Sequence, residues 1–377
     1  MSTVSLVRCE DYGPDKVVEA VSKSIDLLGG IARFVKKGDR VLLKPNLLSA
    51  QPPEKRITTD PSIVRAVAMM VMDAGGIPVI GDSPALGSFS RVALKTGMME
   101  IADQLDIEVV ELNDPMPVPL PSSSIFKKLE LASQAIKADV VINLPKLKTH
   151  SQMLFTLGVK NMFGTVVAQR KAEWHYMAGV DRDSFASLLI DIYLCIRPAL
   201  TILDGIWGME GHGPANGKAR RINIIAAAED AIALDVAVCH MLGIPLRSFP
   251  LYRAAHKREI GKTDVRQIIF KGLSPEVFSI PDFEIPSLDS MGVLPGIFDG
   301  FTKHYLVSKP VQTENSCIEC GRCSEICPAD AIIMEGRKII FDYDKCIRCY
   351  CCQEICPQNS IQFHRGLLVK ILNRFRR

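Results

Sequence analysis

Two short runs of cysteine near the C-terminus constrain this 377-residue chain more than any other feature. Cys317, Cys320, Cys323 and Cys327 are followed at once by Pro328, and Cys346, Cys349, Cys352 and Cys356 by Pro357. Each run reads C-x2-C-x2-C-x3-C-P, and the likeness continues outside the cysteines. Ile318 answers to Ile347, Glu325 to Glu354, Ile326 to Ile355 and Ile332 to Ile361. A duplicated half-module is the simplest reading.

The spacing is that of the bacterial two-cluster ferredoxins. Three thiolates two residues apart curl around three corners of a cubic [4Fe-4S] cluster. The fourth, beyond a turn that the proline fixes, ligates the other cluster. On that rule Cys317, Cys320, Cys323 and Cys356 hold one cluster, and Cys346, Cys349, Cys352 and Cys327 the other. Gly321 lets the backbone approach the first cluster closely. Its counterpart is Tyr350, so the two sites are not equivalent. A disulfide framework fits poorly, because nine of the twelve cysteines fall in one short stretch and no secretory signal is evident. Zinc takes its four ligands as two spaced pairs, not as two runs of four each ending in proline. Cys351, between Cys349 and Cys352, is either a spare loop thiol or a substitute ligand or redox-sensitive thiol beside the cluster.

The length predicts two or three domains. Apolar content of 47% against 23% charged is that of an ordinary globular protein. A net charge of +3 is too small to imply a nucleic-acid partner. Met1 to Glu10 has charges at Arg8 and Glu10 and no apolar core, unlike a signal peptide. No run reaches the ~18 apolar residues of a membrane span. Reduced cysteines and low-potential clusters favour a cytoplasmic setting. Residues 366–377 read as a basic amphipathic tail, with Leu367, Leu368, Ile371, Leu372 and Phe375 at helical spacing and Lys370, Arg374 and Arg377 on another face. Such a tail packs on its own domain or, less often, lies on an anionic membrane surface.

Residues 1–300 alternate strand and helix. Val41-Leu42-Leu43 ends at Lys44-Pro45-Asn46; Asp60 then caps a helix with Pro61 at its first position, running to Gly75-Gly76. Further strands are expected at Ile77–Ile80, Ile107–Glu111, Asp139–Asn143 and Thr201–Leu203, with helices at Phe185–Ile196 and Asp230–Leu242. The pattern predicts an α/β domain, a mostly parallel sheet with helices on both faces. A small α+β ferredoxin-like module follows at 301–365. In such sheets ligands bind beyond the carboxyl ends of the strands, which singles out Lys44, Asn46, Asp82, Asn143, Lys146 and Asp204. Lys146, Lys148, Lys160 and Asn161 suit an anionic substrate, carboxylate or phosphate, and His150 could donate a proton to it. The catalytic candidates are therefore His150, Lys146 and Asp204. The substrate-binding candidates are Lys44, Asn46, Asp82, Lys148, Lys160 and Asn161. Asp204, Glu210 and His212 fall in a Gly-rich stretch, 204–214, read as a loop that closes over a site or binds a metal. Each has a plainer competitor: lysines after strands are mostly solvated, and an Asp at a strand end commonly bonds its own turn. Neither G-x-G-x-x-G after a strand nor G-x-x-x-x-G-K-[ST] occurs, which weighs against a dinucleotide or an NTPase; flavin stays open.

The segments VLLKPN, TTDPSIVRAV, DAGGIPVIGDS, INLPKLKTH, LGVKNMFG, DGIWGMEGHGP and IALDVAVCH together resemble the DUF362 domain. That domain is often joined to a C-terminal pair of 4Fe-4S motifs, and CIRCYCCQEICP is similar to the version those fusions carry. The resemblance implies an iron–sulfur protein, sometimes described simply as a ferredoxin. It also implies that Lys44, Asn46, Asp60, Asp82, Lys146, His150, Lys160, Asn161, Asp204 and Glu210 line a site. Three readings follow. In the first, a partner protein, ferredoxin or reductase, feeds single electrons through two clusters to a reaction in the N-terminal domain. In the second, the chain is an electron carrier whose large domain docks partners. In the third, the clusters are structural or regulatory.

Overall fold

The computed structural model describes residues 1–84, 87–167, 170–171, 173–174, 181–286, 288, 309–313 and 317–364. The expected tail at 366–377 lies outside the described residues, as do His175 and His304. The chain divides into two compact units, Met1–Lys171 with Asp183–Pro286, and Ala172–Arg182 with Ser287–Arg377.

The first unit is built on a ten-stranded sheet. Its strands are β1 (Ser2–Arg8), β2 (Arg40–Pro45), β3 (Ile77–Asp82) and β4 (Glu108–Glu111), then β7 (Val140–Leu144), β8 (Lys146–His150), β9 (Leu154–Thr156), β10 (Leu200–Glu210), β11 (Lys218–Ala228) and β12 (Ile268–Gly272). Between them β5 (Pro115–Pro117) and β6 (Glu130–Ala132) form a separate pair. The order is β12-β1-β11-β10-β7-β2-β3-β4, and β8 branches from β10 and pairs with β9. Along the main path only β11 runs against the rest. The sheet is mostly parallel, as the alternation predicts.

Side-chain alternation assigns the two faces. Val41, Leu43, Ile80, Ile142 and Ile202 join one buried cluster with Val17 and Val21 of helix Pro14–Asp26 and with Ile63, Val67 and Val71 of helix Pro61–Asp73. Leu42, Val79 and Leu203 are buried outside that cluster, as are Phe185 and Leu188 of helix Arg182–Ile196. Helix Ala231–Met241, packed on β1 and β11, is buried at every residue except His240; an all-apolar helix belongs inside. Each fully buried Val, Leu or Ile contributes roughly 1.5–3 kcal/mol over leaving it exposed. Asp60 caps helix Pro61–Asp73 as expected, accepting from the Ser62 N–H at 3.1 Å.

β2 passes the chain through helix Pro61–Asp73 to β3 on one side, while β7 lies on the other. Lys44 pairs with Asn143 across that junction. Where neighbouring strands lead off in opposite directions, the loops beyond their carboxyl ends part and leave a crevice.

Two stretches not expected as strands are strands. Lys146–His150 is β8, separated from β7 only by Pro145, and the Gly-rich stretch continues β10 as far as Glu210. The glycines there serve close packing, not a turn. A Cβ on Gly205 would lie 2.5 Å from Ile224 Cγ2, and one on Gly208 2.6 Å from Ile222 Cδ1.

In the second unit β13 (Lys309–Gln312) pairs antiparallel with β16 (Ile361–His364), and β14 (Ile332–Glu335) with β15 (Lys338–Phe341). Short helices, Arg322–Glu325 and Cys351–Ile355, carry the third cysteine of each run. The duplication extends to the backbone. Left-handed φ values recur in register at Glu319 (57°) and Arg348 (55°), Gly321 (70°) and Tyr350 (68°), and Asp330 (46°) and Asn359 (52°). Tyr350 thus holds a conformation that suits its glycine counterpart better, with its ring stacked on Phe363 at 3.9 Å.

Candidate functional site

A strand's side chains alternate, so Lys146, Lys148 and His150 of β8 share one face and Leu147 and Thr149 the other. Lys44, Lys146 and Lys148 are all completely buried. An ammonium taken out of water costs several kcal/mol unless it is paired and hydrogen-bonded, and these lysines have built partners. Lys44 Nζ lies 2.8 Å from Asp82 Oδ1, at the carboxyl ends of β2 and β3. That carboxylate also accepts from the Leu47 N–H at 2.9 Å and the Ser83 N–H at 2.8 Å. Gly164 lies against the pair, where a Cβ would come within 2.4 Å of both charged atoms.

Lys146 makes a second, tighter group. Its Nζ is 2.9 Å from Asp204 Oδ2 and donates to the Tyr12 hydroxyl at 2.7 Å. Tyr12 in turn donates to Asp204 Oδ1 at 2.7 Å, and the Asp60 N–H donates to Asp204 Oδ2 at 2.9 Å. Burial pushes Lys44 and Lys146 below the ordinary lysine range, while the facing carboxylates oppose the shift. Burial pushes Tyr12 well up, helped by Asp204 and Asp60. Burial likewise raises Asp60, with the charge of Asp204 adding to it. Arg56 closes the rim, 3.2 Å from Asp60 and 4.6 Å above the Tyr12 ring.

Between these groups runs a chain of amides. Lys148 Nζ donates to Asn46 Oδ1 and to the Ile57 carbonyl, both at 2.8 Å. Asn46 donates to Asn161 at 3.0 Å, and Asn161 to Asn143 at 2.8 Å. His150 Nδ1 accepts from the backbone N–H groups of Gln152 at 3.1 Å and Met153 at 3.2 Å, which puts the neutral ring's proton on Nε2.

Lys171 was missed by the sequence reading, since nothing local distinguishes it from a solvated lysine. It is buried and donates to the Ser83 carbonyl. Burial lowers it from its ordinary 10.5 to about 7, assisted by nearby Lys44 and Lys160 and opposed by Asp82. Tyr12 and Thr59 were missed too; Thr59 bridges the Asn46 N–H and the Leu144 carbonyl. Four buried polar atoms beside this network have no hydrogen-bond partner among the described residues. Ser83 Oγ follows Asp82. Thr58 Oγ1 lies between Ile57 and Thr59. Thr156 Oγ1 stands opposite Lys148 across β8 and β9, and Gln152 Oε1 neighbours His150.

Lys160, half-buried with its Nζ 5.7 Å from the Phe163 ring centroid, lies within electrostatic reach of Lys171. Other candidates stand apart. Glu210, at the end of β10, accepts from the Glu284 N–H at 3.2 Å and lies 3.8 Å from Arg220, and His212 is exposed. Among the described residues of the first unit no three His, Cys, Asp or Glu side chains converge on one ion position. Asp235 serves the fold: it accepts from the Gly158 and Val159 N–H groups at 2.8 and 3.2 Å, and burial raises it to about 8.

In the second unit none of the cysteines of either run is in a disulfide. Cys327, Cys346, Cys349 and Cys352 line one small cavity, walled by Pro310, Ile332, Phe341, Ile347, Tyr350 and Phe363. Cys351 lines it too. The fourth cysteine of the first run thus meets the first three of the second. Cys356 in turn lies within electrostatic reach of Cys323, which also feels Cys320. Four converging thiols in an apolar pocket fit an iron–sulfur cluster's donor set.

Residues 41–240 match the family described as a domain of unknown function, DUF362. The chain belongs to the DUF362 family. Residues 309–357 of this DUF362 protein match a 4Fe-4S dicluster domain, which makes its C-terminal unit an iron–sulfur module. The chain is 37% identical over 310 residues to the thylakoid-associated protein sll1697 of Synechocystis sp., covering 81% of this chain and 95% of that relative. Among solved structures, the lactate racemase apoprotein of Thermoanaerobacterium thermosaccharolyticum is similar over 62% of this chain and 56% of its own, at 14% identity and a TM-score of 0.39. A Thermotoga maritima protein is similar at 12% identity and a TM-score of 0.37, over 59% of this chain and 57% of its own. Among the described residues of the DUF362 chain, no helix is long and apolar enough to cross a membrane.

Proposed function

We propose that this DUF362 protein is a cytoplasmic iron–sulfur redox protein that delivers electrons to an anionic substrate bound among the buried lysines of its α/β unit. Cys317, Cys320, Cys323 and Cys356 hold one [4Fe-4S] cluster, and Cys346, Cys349, Cys352 and Cys327 the other. The clusters supply one-electron transfer. A protein partner, ferredoxin or reductase, supplies the electrons singly, since the chain carries no nicotinamide fingerprint.

The observation that carries this reading is the burial of lysines Lys44, Lys146, Lys148 and Lys171 beside unpartnered hydroxyls, near the carboxyl ends of β2 and β3. They stand against the buried carboxylates Asp82 and Asp204, with Asp60 engaged by Arg56. A carboxylate or phosphate would offset the surplus positive charge and satisfy Ser83, Thr58 and Thr156. Lys148, Asn46, Lys44, Asp82, Lys160 and Asn161 orient it. Lys146 and Tyr12 both donate to Asp204, and Lys146 to Tyr12, which holds the group in place; His150 Nε2 donates a proton as the substrate is reduced.

The test uses protein purified without oxygen and chemically reduced. A panel of small carboxylates and phosphate esters is screened for reoxidation of the iron–sulfur absorbance. Lys148→Met is expected to abolish the response found in the wild type with iron content unchanged. If no compound reoxidises the wild type while a ferredoxin does so rapidly, the carrier reading replaces this one. Ligand crossing is tested by Cys327→Ser, which should lower iron from about eight to about four per chain and spare the cluster held by Cys317, Cys320 and Cys323.

A further inference from the structure

The two cysteine loops share a backbone but differ in charge. Glu319 and Arg348 occupy the same position in the two repeats, with φ of 57° and 55°. Glu319 is exposed, and its carboxylate pairs with Arg337 at 3.2 Å. Arg348 is buried, only 6% exposed, and its guanidinium donates inward to the carbonyls of Cys346 and, at 3.1 Å, Tyr343. One loop therefore carries a screened negative charge and the other a fixed positive charge turned into its own cysteine loop. Arg322, the other cation of the first loop, is exposed.

One other influence on the clusters is matched between the halves. The Ala331 N–H donates to Cys327 Sγ at 3.3 Å, and the equivalent Ser360 N–H donates to Cys356 Sγ at 3.1 Å. The acids are not matched: Glu325 is exposed, whereas Glu354 is half-buried and its charge acts on Cys349. Cys323 and Cys352 are each 7% exposed, but Cys320 is exposed where its counterpart Cys349 is buried. Reduction adds negative charge to a cluster, so a neighbouring cation out of water raises its potential, and one in water is screened.

Resting on the cluster assignment above, we propose that Arg348 sets the second cluster above the first in potential, so that electrons entering at the exposed first loop settle on the second. Each electron so passed oxidises the first cluster by one and reduces the second by one, with no bond made or broken.

The experiment is an EPR-monitored redox titration of intact protein purified without oxygen. Cys327→Ser identifies which step belongs to the second cluster. The wild type is expected to favour the second cluster at least tenfold, about 59 mV for one electron. Arg348→Gln should remove most of that preference while iron stays at about eight per chain, and Arg348→Lys should keep it. Glu319→Arg, whose charge stays in water, should leave the gap nearly unchanged. Equal potentials in the wild type, or a gap unmoved by Arg348→Gln, overturns the proposal. If Arg348→Gln fails to load iron, Arg348→Lys decides, and a gap lost in that variant overturns the proposal. Wild-type iron far below eight would instead break the two-cluster reading.

Discussion

Asp204 and Glu210 lie on one strand and were expected in one loop, yet they do different things. Asp204, fully buried, anchors Lys146, Tyr12 and the Asp60 N–H. Glu210, though itself buried, sits at the edge of a surface group in which Arg220 reaches Asp282 at 2.7 Å and Lys218 reaches Glu284 at 3.2 Å. The chemistry is the same and the surroundings are not. A pair without water must be complete, because each charge depends on the other; a pair at the surface has water as an alternative. Groups so costly to bury are kept only where they are used or fully matched.

The comparison is sharpened most by Lys171. Its folded value, about 7, lies below its ordinary 10.5, so the folded state binds the proton less tightly than the unfolded one. Stability therefore rises with pH from about 7 to 10.5, and the burial penalty is full below pH 7. At about 1.4 kcal/mol per pH unit the window is worth on the order of 5 kcal/mol. Lys171→Met should flatten that slope in denaturation curves taken across the window and stabilise the fold at pH 7; an unchanged slope assigns it to other groups. Next in size, Lys146→Ala strands a buried Asp204 and should cost about 3–5 kcal/mol in chemical denaturation. A loss under 1 kcal/mol would mean that water reaches the carboxylate. Smallest is Lys218→Ala at the exposed end, expected to change stability by less than about 1 kcal/mol. An effect as large as that of Lys146→Ala would erase the distinction between the two ends.

Much of this was legible in the sequence. The cysteine runs, the alternation of strand and helix, and the Asp60–Pro61 helix start are local signals, and Lys44, Asn46, Asp82, Asn143, Lys146 and Asp204 follow from the rule that strand ends carry ligands. What was lost shares a physical cause. Lys146–His150 does not read as a strand because buried strands are expected to be apolar, and its alternation of Lys, Lys and His marks a polar face turned inward. Gly205 and Gly208 read as turn signals although they admit neighbouring side chains. Tyr12 is 192 residues from Asp204, and no local pattern announces a partner that distant. Lys171 is distinguished only by what surrounds it.

The branching of β10 has a consequence for how these charges stay aligned. The strand is gripped by β7 at Leu200 and Thr201, by β8 at Asp204 and Met209, and by β11 on both sides of an irregularity between Gly205 and Trp207. Sliding it by one residue would turn Asp204 to the face of Leu147, but no ladder can shift without dislodging the other two. β10 is keyed into the sheet like a shaft with three flats, and it seats in a single setting. The alignment of Asp204 with Lys146 is thereby set by the backbone itself.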